Sequence, residues 1–277
     1  MSALRPLGFV ATALESARQT ALRLRHHRVW FLVIVGAAAL YGIAWLVGNQ
    51  TAKHGRGDGV MAYCNLAWWL QATVVMPWLT LYLGVQALHG GLEDRTFQYL
   101  FLRPVSRAGL LVGKWIAVAA VGGAVGAAGS CVLFAGMSDN ADLWPDGADW
   151  SYAGVFAAAS MAGAAAYAAV AMTFSAWFQR PLVWAALFVV GLQQVVANLP
   201  VSAGMRYATI TDPMRRFVLD AIEPTKSLAR SLWPAEPDFQ IELVGAPLRD
   251  LAILAAVALA LAAWIYSRTE YDARQRD

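Results

Sequence analysis

Six stretches of this chain lack Asp, Glu, Lys, Arg and His over lengths that approach or exceed the roughly 20 residues a helix needs to cross a hydrocarbon core. The membrane spans they predict are 29–47, 60–88, 112–137, 150–178, 181–199 and 247–267. The sixth reaches span length only with Arg249 and Asp250 at the interface, where a long basic side chain snorkels. The runs are continuous and rich in Ala, Leu and Val, whereas membrane strands alternate over about 10 residues. The predicted fold is therefore an all-α polytopic membrane protein. Only 14% of the 277 residues are charged, against the roughly 25% of soluble domains, so a water-soluble globule does not fit.

Details inside the spans agree with a helical bundle. Trp and Tyr recur near span ends, as in Trp30, Tyr41, Trp115, Trp150, Trp177 and Trp264, which suits an interfacial belt. Pro77 lies well within the second span and predicts a tilt or kink there. Gly122 and Gly126 form a GxxxG that lets helix backbones approach, either within the subunit or between copies. With the N-terminus inside, 13 of the 21 basic residues fall on inner segments and the inner net charge is +7 against −4 outside. The positive-inside rule then places both termini in the cytoplasm and the chain in the cytoplasmic (inner) membrane. The first span has 28 residues before it and exceeds the length of a signal-peptide core, so a retained anchor is expected.

Three segments outside the spans carry information. Residues 1–28 place Leu7, Val10, Leu14, Ala17, Ala21 and Leu24 at helical spacing, with Arg18 and Arg23 off that stripe, which predicts an amphipathic helix in the membrane interface. Residues 200–246 form an external segment, with Met214, Phe217, Val218 and Ala221 predicting a short helix and Pro224, Pro234 and Pro237 breaking it. Asp139, Asp142, Asp146 and Asp149 read as a solvated acidic loop without the glycine and glutamate of an EF-hand.

The third segment, the cytoplasmic loop 89–108, is the most specific. Asp94 or Thr96 caps a short helix on which Phe97, Leu100 and Phe101 share a face, and Pro104 stops it. Exposed aromatic residues ringed by charge suit docking into a groove on another subunit. Glu93, Thr96, Leu100, Pro104, Ser106, Arg107 and Lys114 together resemble the signature of permease subunits of ABC-2 type transporters. Arg95 stands where that family commonly has glycine before the Thr. The resemblance implies that this loop is a coupling helix against a cytoplasmic ABC ATPase dimer and that two permeases pair as a homodimer. Glu93 and Arg103 would fix the docking, Phe97 and Phe101 would fill a pocket on the ATPase, and Thr96, Leu100, Pro104 and Arg107 belong to the same coupling set.

Catalytic signatures are missing. The run from Gly109 to Trp115 has one residue too few between its glycines for a P-loop, and Trp115 replaces the Mg-binding Ser or Thr. No HExxH, G-x-S-x-G or paired intramembrane acids occur, so no enzyme, metal site or nucleic-acid partner is expected. The chain itself binds no cofactor in this reading; ATP and Mg belong to the partner ATPase. Ionisable groups at membrane depth usually mark ion-driven transport, and none lies securely in these spans. The sizeable polar groups are chiefly Gln71, Gln193 and Gln194, which either line a translocation path or bond across helices. The function read from this is the membrane-spanning permease of an ATP-driven exporter, with an external accessory protein as a further partner. The alternative is a passive scaffold or channel subunit.

Overall fold

The computed structural model describes residues 8–26, 29–53, 59–93, 106–144, 147–195, 209–222, 228, 231, 232 and 246–268. Among the described residues the chain is helical and holds no strand. The helices are α1 (Phe9–His26), α2 (Val29–Lys53), α3 (Gly59–Leu66), α4 (Met76–Glu93), α5 (Arg107–Ser138), α6 (Ser151–Trp177), α7 (Pro181–Leu187), α8 (Thr211–Ile222) and α9 (Pro247–Arg268). Two π-helical segments, Ala67–Val75 and Phe188–Val195, interrupt the second and fifth predicted spans.

Among the described residues five helices are long and apolar enough to cross a membrane, lying at Val33–Lys53, Gly59–Leu88, Arg107–Ser138, Ser151–Trp177 and Pro247–Arg268. The fifth predicted span is the shorter apolar helix Pro181–Val195, and residues 196–199 lie outside the described residues. α6 is the central element, packed against α4, α5, α8 and α9. Its alanine-rich sequence makes that possible, because small side chains let several helices approach one axis.

The glycines of α5 do the same. A Cβ at Gly126 would lie 3.0 Å from Ser160 of α6, and one at Gly129 would lie 2.5 Å from the Gln71 amide. Gly122 faces Thr80, so the GxxxG packs within the chain. Gly136 meets the backbone of α2 at Tyr41, where a Cβ would lie 2.8 Å from the carbonyl.

α1 turns a face of Thr12, Ala13, Ser16 and Thr20 to α5, with Leu24 of the apolar stripe at its end. Val10 and Leu14 of that stripe are exposed, while Leu7 lies outside the described residues. The reason is steric: Gly109 and Gly113 bring the helices so close that a Cβ at Gly113 would lie 2.2 Å from the Ala13 carbonyl oxygen. Ser16 Oγ then donates to the Leu110 carbonyl at 3.0 Å. The exposed stripe remains available to a membrane surface.

The core has an aromatic end and an aliphatic end. Tyr63 packs edge-on against Phe134 and Phe156, with ring centroids 5.1 and 5.6 Å apart, and Trp144 and Trp150 lie against Phe134. Leu83, Leu88, Leu111, Val118 and Met172 join Leu24 of α1 at the end nearer the loop 89–108. Between α5 and α6, Gly147 adopts φ +92°, a conformation that glycine reaches without a Cβ penalty. Asp149 Oδ1 then accepts the Ser151 amide at 2.8 Å, and this bond to the charged form holds the Asp149 carboxyl below its usual pKa.

Candidate functional site

The loop expected to dock an ATPase lies mostly outside the described residues. Thr96, Phe97, Leu100, Phe101, Arg103 and Pro104 are among residues 94–105. Glu93 closes α4, and Arg107 opens α5 with an exposed side chain. What the structure describes is the stem of the loop. Ser106 caps α5, its Oγ accepting the Gly109 amide at 3.0 Å, as an N-cap serine does. Lys114 Nζ reaches across to the Ala87 carbonyl of α4 at 2.8 Å. The two helices that leave the loop are thereby tied within two turns of their ends, and α1 braces α5 from outside.

A second site lies deeper and is built on glutamines. Pro77 has no N–H for the carbonyl four residues back, Thr73, and the Gln194 side-chain amide donates to that carbonyl instead. The bond joins the two π-helical segments to each other, and such segments are rare outside functional or strained sites. Gln71 Nε2 donates to the Gly126 carbonyl at 2.8 Å, over the gap that Gly129 leaves.

Gln193 is the hub. Its Oε1 accepts the amides of Ile210 and Thr211 at 3.0 Å each and the Thr211 hydroxyl at 2.8 Å. The Tyr167 hydroxyl donates to the same oxygen at 3.5 Å and lies 3.4 Å from the Thr211 hydroxyl. Those two backbone amides stand at the start of α8, where helix donors lack intrahelical partners, so Gln193 caps α8 from another element. Asp212 N adds a bond to Thr209 Oγ1 at 3.3 Å.

α8 is thus drawn into the bundle, and its charges come with it. Met214 fills the space over Gly163 of α6, where a Cβ would meet its sulfur at 2.4 Å. Arg215, fully buried, lies over the Trp68 ring with its guanidinium carbon 5.2 Å from the centroid. Arg216 pairs with Asp212 at 3.0 Å and with Asp250 of α9 at 3.1 Å. Side-chain exposures of 8% for Arg216 and 5% for Asp212 place this pair away from water. Desolvation at that burial is tolerable only because each charge meets its opposite.

The three predicted glutamines all bond across elements, Gln71 to α5, Gln194 to the second span and Gln193 to α8. By sequence alone Asp212, Arg215 and Arg216 fall in the external segment 200–246 and Asp250 at the interface. A usable signal was present, since Asp212 and Arg216 stand four apart behind Thr209 and Thr211, with Pro213 in the first turn. Arg249 is 68% exposed, as the interfacial reading requires, whereas its neighbour Asp250 turns inward to Arg216. Chemically the arrangement positions helices: amides satisfy stranded carbonyls, and one guanidinium spans two carboxylates.

No curated protein matches the chain. A family model for ABC-2 family transporter proteins matches residues 12–271, which takes in every helix from the body of α1 to the end of α9. The chain belongs to the ABC-2 family of transporter proteins, as an integral membrane permease component.

Proposed function

We propose that this permease forms the translocation path of an ATP-driven exporter and is worked by a separate cytoplasmic ATPase dimer through the loop 89–108. Two copies assemble as a homodimer, each with six spans and both termini in the cytoplasm, and an external accessory protein completes the assembly. The observation that carries the reading is the loop stem. Lys114 ties α5 to α4 beside the loop, and α5 packs along α1, α2 and α6. A push on the loop is therefore delivered to most of the bundle as rigid-body motion rather than absorbed locally. ATP and Mg reside on the partner, and the permease contributes no nucleophile or base. In the loop itself, Phe97 and Phe101 insert into a pocket on the ATPase, with Glu93, Arg103 and Arg107 fixing the orientation.

The test is copurification with a coexpressed ABC ATPase. Phe101→Asp places a charge at the centre of the contact and should abolish the complex while leaving the detergent-solubilised permease monodisperse. A complex recovered in undiminished yield would overturn the coupling role.

A further inference from the structure

We propose that the cleft between α5, α6 and α9 holds one acyl chain of a phospholipid with an anionic headgroup, whose phosphate rests on Arg249. The cleft has a volume of about 350 Å³. Leu248, Ala252, Ala256 and Leu259 form its α9 wall, Ala165 its α6 wall, and Trp115 of α5 its inner end. No polar group is left in the lining for a hydrophilic occupant, because the Trp115 indole N–H donates to the Ala165 carbonyl at 2.9 Å.

Dimensions select the occupant. Leu248 and Leu259 are 11 residues apart, about 16 Å along a helix. That is close to half of the roughly 30 Å hydrocarbon core, so the cleft covers the depth of a single leaflet. The open space of the cleft up to its rim, about 680 Å³, spread over that length gives a cross-section of roughly 40 Å², half the roughly 80 Å² of a helix about 10 Å across. A helix of a second copy does not enter such a slot; an extended hydrocarbon chain does.

Charge selects the headgroup. Arg249 precedes Ala252 and Ala256 by three and seven residues and so heads the face of α9 that lines the cleft. Its side chain is 68% exposed, with a loose 3.7 Å approach to Asp250, and that carboxylate is engaged by Arg216 at 3.1 Å. Asp250 is thus held inward, while Arg249 stays exposed in the first turn of α9, next in sequence to the lining residue Leu248. A guanidinium in that place offers paired donors to a phosphate oxyanion. The inference requires only that the chain spans a bilayer and is independent of any ATPase.

Native mass spectrometry of the full chain, released from nanodiscs of equal parts phosphatidylglycerol and phosphatidylcholine, tests it. The wild type should retain one lipid per chain, with phosphatidylglycerol enriched about tenfold, the scale of one charge-assisted contact. Arg249→Gln should keep one lipid but lose the enrichment. Ala256→Phe, at an exposed position that the fold tolerates, should expel the lipid with gel-filtration profile and melting temperature unchanged. Equal lipid retention by wild type and Ala256→Phe would overturn the proposal, as would undiminished phosphatidylglycerol preference in Arg249→Gln. A change of oligomeric state in Ala256→Phe with the lipid retained would assign the cleft to a second copy and overturn it as well.

Discussion

Arg216 closes α8 on itself through Asp212 and fastens it to α9 through Asp250. Removing one member of a buried pair leaves the others desolvated without compensation, which costs about 3–5 kcal/mol. Arg216→Met is therefore expected to lower stability by about that much in a denaturant titration of the detergent-solubilised chain, whereas adding Asp212→Leu to it should recover part of the loss. A double mutant no more stable than the single would show that the pair contributes nothing of its own. Gln193 acts by the same logic without charge. A single carbonyl oxygen serves two backbone amides and two hydroxyls, so the amide group of one side chain starts a helix 18 residues further along the chain. Trp68, the ring beneath Arg215, shows why an aromatic residue belongs in that place: its face stabilises a cation that no water reaches.

At the scale of elements, contact is decided by where side chains are absent. α1 and α5 meet backbone to backbone at Gly113, so Gly113→Ala would set a methyl group against the Ala13 carbonyl oxygen at 2.2 Å, and the helices must part. Overpacking of that kind costs about 1–3 kcal/mol, and here it should be felt as detachment of α1. Limited trypsinolysis at Arg18 and Arg23 is the check, with faster cleavage expected in the variant. Unchanged cleavage would mean that α1 is held by something other than this contact. The second span illustrates a different device. Pro77 withdraws a hydrogen bond from the helix, the helix widens into a π segment ahead of it, and the stranded Thr73 carbonyl becomes the attachment point for the fifth span through Gln194. A residue that breaks one helix is what joins two.

For the whole molecule, the consequence is that both ends of the bundle are cross-braced. Lys114 and α1 bind the stem of the loop 89–108, and α8 binds the π-helical segment Ala67–Val75, α6, the π-helical segment Phe188–Val195 and α9 through Trp68, Tyr167, Gln193 and Asp250. If the loop is the input, its motion should need the Lys114 tie. Lys114→Met is expected to leave assembly with the ATPase intact while reducing the stimulation of ATP hydrolysis by the permease several-fold, measured on the reconstituted complex. Full stimulation would locate the transmission elsewhere. Much of this molecule was readable in advance. The helical class, the long apolar helices, the disturbance at Pro77 and the cross-element bonding open to Gln71, Gln193 and Gln194 all follow from local facts, since the length of an uncharged run and the chemistry of proline do not depend on distant residues. What sequence could not supply was the environment of residues whose partners lie far along the chain. In the sequence Asp212 and Arg216 belong to a short helix of the external segment, and their burial arises only when Asp250, 34 residues beyond Arg216, and Gln193, behind them both, are brought alongside. The inward face of α1 likewise depended on Gly109 and Gly113, nearly 100 residues away, whose missing side chains favour small partners over the apolar stripe. Hydrophobic run length determined which helices are long and apolar enough to cross a membrane; the pairing of buried polar groups and the closeness of backbones, which exist only once the helices are assembled, determined how they hold one another.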